Sequence, residues 1–113
     1  MGSILPQYNT VIAVNLSYDR TDALINGLNT SDRYGSVKLG SSPSLYEVMD
    51  NKNDSSCSAR VEWAGVNLTN IKTDREGQNI LEDILKFHQV GYELVTNNGK
   101  IVRKSVRRKP VTA

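Results

Sequence analysis

The sequence predicts an α+β fold: a mainly antiparallel sheet of about five or six strands, one main helix at about 74–90 packed on one face, and a C-terminal hairpin pairing 92–97 with 100–105. Three observations point there. Ile80, Leu81, Ile84, Leu85 and His88 recur at helical spacing, so they share one stripe of a 3.6-residue helix. Asn98-Gly99 joins two segments rich in branched residues and so predicts a two-residue turn. Upstream, short β-branched or alternating segments are punctuated by Gly, Pro and Asn.

In chain order, Thr10–Leu16 is β-branched and nearly continuously apolar, as in a strand covered on both faces or near a sheet centre. Tyr18–Asp22 reads as a turn, and Asp22–Leu28 fits a two-turn helix and an irregular loop equally, because Gly27 and the asparagines weaken a helix. Gly35–Gly40 is a brief strand bounded by glycines. Leu45–Met49 reads as a strand entering a polar loop over 50–56, although Pro43 and the Ser44-x-x-Glu47 spacing also suit a helix start. From Ser58 to Ala64 the alternation puts Ala59, Val61 and Trp63 on one face and Arg60 and Glu62 on the other. Gly65–Asn70 continues that strand through a bend.

Thr73-x-x-Glu76 fits a capping box, with the Thr73 hydroxyl accepting from the Glu76 N–H. Asp74 and Glu76 near the start and Lys86 near the end suit the helix macrodipole, and Gly91 offers a left-handed closing residue. In the hairpin beyond, the turn aligns Val95 with Val102 and Glu93 with Lys104. The expected core is Val11, Val14, Trp63, Ile80, Leu81, Ile84, Leu85 and Leu94. Residues 1–106 form one expected domain and 107–113 a basic tail.

A chain of 113 residues buries enough surface to fold without disulfide staples, and its single cysteine, Cys57, allows no internal bridge. A reducing, intracellular setting follows as the expectation. No apolar run is long enough for a helical membrane span, and the N-terminus lacks the basic-then-apolar order of a secretion signal. Among chemical candidates, His88 reads as a partly buried structural residue whose cationic form suits a helix C-terminus. Nothing around Cys57 lowers its pKa in an obvious way. Asp19/Asp22, Asp50/Asp54 and Glu82/Asp83 read as solvated surface, and no phosphate cradle or calcium loop is present in the sequence. Neither an enzyme nor a bound cofactor or metal is expected.

Charge division is the informative feature. Residues 100–113 hold six bases, Lys100, Arg103, Lys104, Arg107, Arg108 and Lys109, and no acid; residues 1–99 hold 8 bases against 12 acids. The body is therefore acidic and the end basic, which points to a binding protein whose C-terminal arm meets nucleic acid or another acidic surface without strong sequence preference. The scattered tyrosines match no RNA-binding sheet motif. The alternative is a structural or adaptor subunit of a homo-oligomeric, viral or other large assembly, meeting a protein partner or its own copies. No membrane partner is expected.

Overall fold

The computed structural model describes residues 8–41 and 44–107. Seven strands form one sheet: β1 (Thr10–Val14), β2 (Tyr34–Ser41), β3 (Ser44–Asp50), β4 (Ser55–Gly65), β5 (Leu68–Thr73), β6 (Tyr92–Asn97) and β7 (Lys100–Val106). Their order is β2-β3-β4-β5-β1-β6-β7, with antiparallel neighbours throughout. Two helices complete the fold, α1 (Tyr18–Asn26), extended by a 3₁₀ turn at Gly27–Thr30, and α2 (Gly77–Phe87). The expected α+β class and antiparallel sheet are present, but with seven strands and two helices. Among the described residues no helix is long and apolar enough to cross a membrane.

Strand β5 is the one the sequence concealed. The chain reverses after Gly65 instead of bending, and Leu68–Thr73 returns along β4, pairing Ile71 with Val61. The polar loop expected over 50–56 is also shorter, because Ser55 already pairs with Asp50. Asp50 is buried and closes that turn, its carboxylate accepting from the Lys52 N–H at 3.2 Å and from the Asn53 side-chain amide at 2.8 Å. A buried carboxylate needs such partners, so it is not solvated surface.

Register decides where the helices lie. Tyr46 pairs with Ala59, Val61 with Ile71, Ile71 with Ile12, and Ile12 with Leu94, so these buried side chains share one face, and Tyr92 joins them two residues from Leu94. Two tyrosines on that face each pin one helix. Tyr46 donates to the Asp22 carboxylate of α1 at 2.6 Å, and Tyr92 to the Glu82 carboxylate of α2 at 2.6 Å. Both helices therefore cover the same side of the sheet. Asp22 and Glu82, expected to be solvated, are the fixed acceptors of these bonds, and Tyr34 and Tyr46 are buried. Strand β1 lies between β5 and β6, inside the sheet as expected, but only one of its faces carries a helix layer, which leaves Val11 half-buried.

Where a turn was expected at Tyr18–Asp22, α1 begins. Ser17 is its N-cap, the hydroxyl accepting from the Arg20 N–H at 3.3 Å, and Thr21 and Ile25 face the core. Helix α2 keeps the expected stripe, with Ile80, Leu81, Ile84 and Leu85 buried, but both its ends differ from expectation. Thr73 is not a cap: it ends β5, fully buried, and its hydroxyl donates to the Ser58 carbonyl at 2.7 Å. Capping passes to Asp74, which accepts from the Gly77 N–H at 3.1 Å and, through its other oxygen, from the Ser58 N–H at 3.0 Å. At the far end Val90 N–H bonds to the Leu85 carbonyl and Gln89 N–H to that of Lys86, the paired bonds of a Schellman closure. Its left-handed residue is Gln89, with φ +58°, not Gly91.

Of the expected core, Val14, Ile80, Leu81, Ile84, Leu85 and Leu94 are buried, and Trp63 is not. Alternation assigned Trp63 correctly to the face of Ala59 and Val61. The described pairing of β3 with β4 ends at Ser44–Val61, before Trp63 is reached.

Candidate polyanion-binding edge

Strand β7 is one of the two edges of the sheet and pairs only with β6. Its hairpin turn is as expected, because Asn98 and Gly99 both have positive φ, +52° and +84°, and Asn97 pairs with Lys100 and Thr96 with Ile101. After these two pairs the register slips. Arg103 takes a left-handed conformation, φ +54°, and one extra residue enters β7, so Leu94 pairs with Lys104 and Glu93 with Ser105. The expected facing of Glu93 with Lys104 is thus overturned by a bulge, which sets Val102 and Arg103 together opposite Val95.

That bulge redistributes the cations. Glu93 binds Arg103 instead of Lys104, with Nη2 3.4 Å from its carboxylate. Since Glu93 points away from the helices, Arg103 is drawn to the open side of the sheet, while Lys104, opposite buried Leu94, belongs to the helix side. Lys100, Arg103, Lys104 and Arg107 are all exposed. Among these four only Arg103 has a carboxylate in ion-pair reach within the described residues. Arg108 and Lys109 lie outside the described residues. The edge thus carries positive charge on both sides of its strand, a shape that can track a phosphate chain running beside it. The same charges and bulge also blunt an edge against addition of another strand.

The candidates for covalent or acid–base chemistry are dispersed. Cys57 is buried on β4, and burial, assisted by the Asp74 carboxylate and opposed by the adjacent Thr73 side chain, pushes its thiol up to about 12. Such a thiol is a poor nucleophile near neutrality. His88 is exposed at the C-cap of α2, not partly buried as expected, and its ring meets Phe87 edge to face at 5.2 Å. Burial and their carboxylate acceptors raise Tyr46 and Tyr92 above the ordinary phenol range, which keeps both protonated as donors. Among the described residues no group of three or more His, Cys, Asp or Glu is arranged to hold a metal ion.

The cations of β7 were legible from composition alone. Alternation alone puts Arg103 and Lys104 on opposite faces, and what sequence reasoning missed is the bulge that exchanges their sides. No protein-family model, curated protein or solved structure matches this chain significantly.

Proposed function

We propose that this chain is a non-enzymatic binding protein that meets nucleic acid, or another polyanion, through β7 and the residues after it: Lys100, Arg103, Lys104, Arg107, Arg108 and Lys109. One observation carries the reading: an exposed edge strand holds cations with one carboxylate in ion-pair reach among the described residues, on a body that holds 8 bases against 12 acids in residues 1–99. Such an asymmetric charge orients the molecule and attracts phosphates through released counterions, without reading bases. A salt titration of binding to a random single-stranded oligonucleotide tests it. With most of the six cations engaged, log K falls against log[salt] with a slope of about −3 to −4, and K100A/K104A/R107A flattens the slope by roughly 2. Absence of binding at low salt, or a slope unchanged in the triple variant, ends the proposal.

A second reading, a subunit that joins a protein partner or its own copies, is favoured by the other edge. Strand β2, which forms that edge of the sheet, exposes Val37 at 49% and Leu39 at 59%, beyond Ser36, whose backbone N–H and carbonyl are both held by the Asn29 side chain. Light scattering at micromolar concentration separates the two readings: self-association abolished by Val37→Lys supports the second, and a monomer opposes assembly from copies of this chain.

A further inference from the structure

Three strands separate β7 from a feature that the polyanion reading does not use. Past the last described pair of β4 with β3, Trp63 is 68% exposed although Ala59 and Val61, on the same face, are fully buried. Val66, in the turn that follows, is 83% exposed. Together with Tyr18 and Asp19 at the start of α1, and Arg60 and Glu62 of β4, they line an open cleft of about 750 Å³. That volume lies within the roughly 300–1,000 Å³ of small-molecule sites. Arg60 and Glu62 lie on the opposite face of β4 from Trp63, and the cleft reaches both faces at this end of the strand, where the last described pair with β3 is Ser44–Val61.

The lining is held in place. Glu62 is clamped between Arg60 at 3.4 Å and Lys72 at 3.1 Å, and the Tyr18 hydroxyl lies 2.7 Å from the Ser44 hydroxyl, which fixes its ring. These contacts also select the ligand. The charged groups that line the cleft, Asp19, Arg60 and Glu62, sum to a net negative charge, which opposes a phosphate or sulfate. An entirely apolar ligand would strip water from two carboxylates without replacing their hydrogen bonds. What fits is a molecule with one apolar face and a rim of hydroxyls. A pyranose ring has this form: its C–H face lies on the electron-rich indole, its hydroxyls donate to the carboxylates of Asp19 and Glu62, and its oxygens accept from the Arg60 guanidinium.

We propose that this cleft binds a neutral carbohydrate of one or two pyranose units, with Trp63 as the stacking platform and Asp19 and Glu62 as the hydroxyl acceptors. Trp63 is the chain's sole tryptophan, so its emission reports this site alone. Glucose, galactose, mannose and N-acetylglucosamine, with their β1,4-linked dimers, are titrated at millimolar concentrations while emission and acrylamide quenching are followed. The expected result is a blue shift and reduced quenching with at least one sugar. Calorimetry with that sugar then gives affinity weaker by roughly tenfold or more in Trp63→Ala and in Asp19→Asn, in line with loss of one stacking or charge-assisted contact. Trp63 is mostly exposed, so far-ultraviolet circular dichroism of the alanine variant should match that of the parent. An indole signal unmoved by every sugar overturns the proposal, as does calorimetric binding that survives Trp63→Ala. A shift produced by polyphosphate but by no sugar also overturns it, and marks the cleft as an anion site.

Discussion

Gly77→Ala should destabilise the fold although alanine is the better helix former, because the first residue of α2 touches the end of β5. A Cβ at Gly77 would fall 1.6 Å from Thr73 Oγ1, 2.7 Å from its Cβ and 2.8 Å from its Cγ2. Rotating Thr73 cannot relieve this, since its own Cβ is already too close. Thr73 is also fully buried and donates to the Ser58 carbonyl at 2.7 Å, so moving it sacrifices that bond. Overpacking costs about 1–3 kcal/mol and the lost hydrogen bond about 1 kcal/mol, while Gly→Ala in a helix returns at most about 1 kcal/mol. The net loss is about 2 kcal/mol, or a fall in Tm of roughly 8 °C for a chain of this size. Urea unfolding followed by circular dichroism measures it, with Gly77→Ala made also in Thr73→Ala and Thr73→Ser backgrounds. Removing Oγ1 and Cγ2 should recover part of the loss, and serine, which keeps Oγ1, should recover little. An alanine variant as stable as the parent, or equal recovery in both backgrounds, would refute the close approach as the reason for glycine here.

Gln89→Gly should stabilise by about 0.5–1 kcal/mol in the same assay, because Gln89 holds φ +58° at the helix closure; a loss would mean that its side chain makes a needed contact. Tyr92→Phe removes the 2.6 Å bond to Glu82 and should cost about 1–2 kcal/mol; in a Glu82→Gln background it should cost less, whereas strict additivity would deny the coupling. Cys57 controls part of the alkaline limb. Burial raises its thiol from 9.0 to about 12, so unfolding releases a proton above the lower value: the stabilisation is whole below about pH 9 and is lost as pH rises towards 12, at up to about 1.4 kcal/mol per pH unit. The raised phenols of Tyr46 and Tyr92 act in the same direction. Cys57→Ala should therefore flatten stability against pH between 9 and 12, and an unchanged profile would contradict the burial of the thiol.

Local chemistry by itself determined the hairpin turn and the buried stripe of α2. At Asn98-Gly99 positive φ is demanded by two adjacent residues, and Ile80, Leu81, Ile84 and Leu85 meet the core whatever partner covers them. The basic character of the C-terminal strand is likewise a matter of composition. Longer-range contacts decided the rest. Thr73-x-x-Glu76 satisfies a capping pattern, yet pairing with β1 and β4 drew Thr73 into β5, where it bonds to Ser58, and Asp74 took over the cap. Alternation shows which face a side chain takes but not how far the covering layer extends, so Trp63 was assigned its face and not its exposure. Asp22 and Glu82 carry no local mark of their roles, because the tyrosines they bind arrive from residues 24 and 10 positions away. The slip at Arg103, which exchanges the sides of Arg103 and Lys104, arises after the turn has already satisfied its own geometry. A two-residue loop specifies the first pairs of a hairpin, and the packing of both strands against the rest of the sheet settles those beyond.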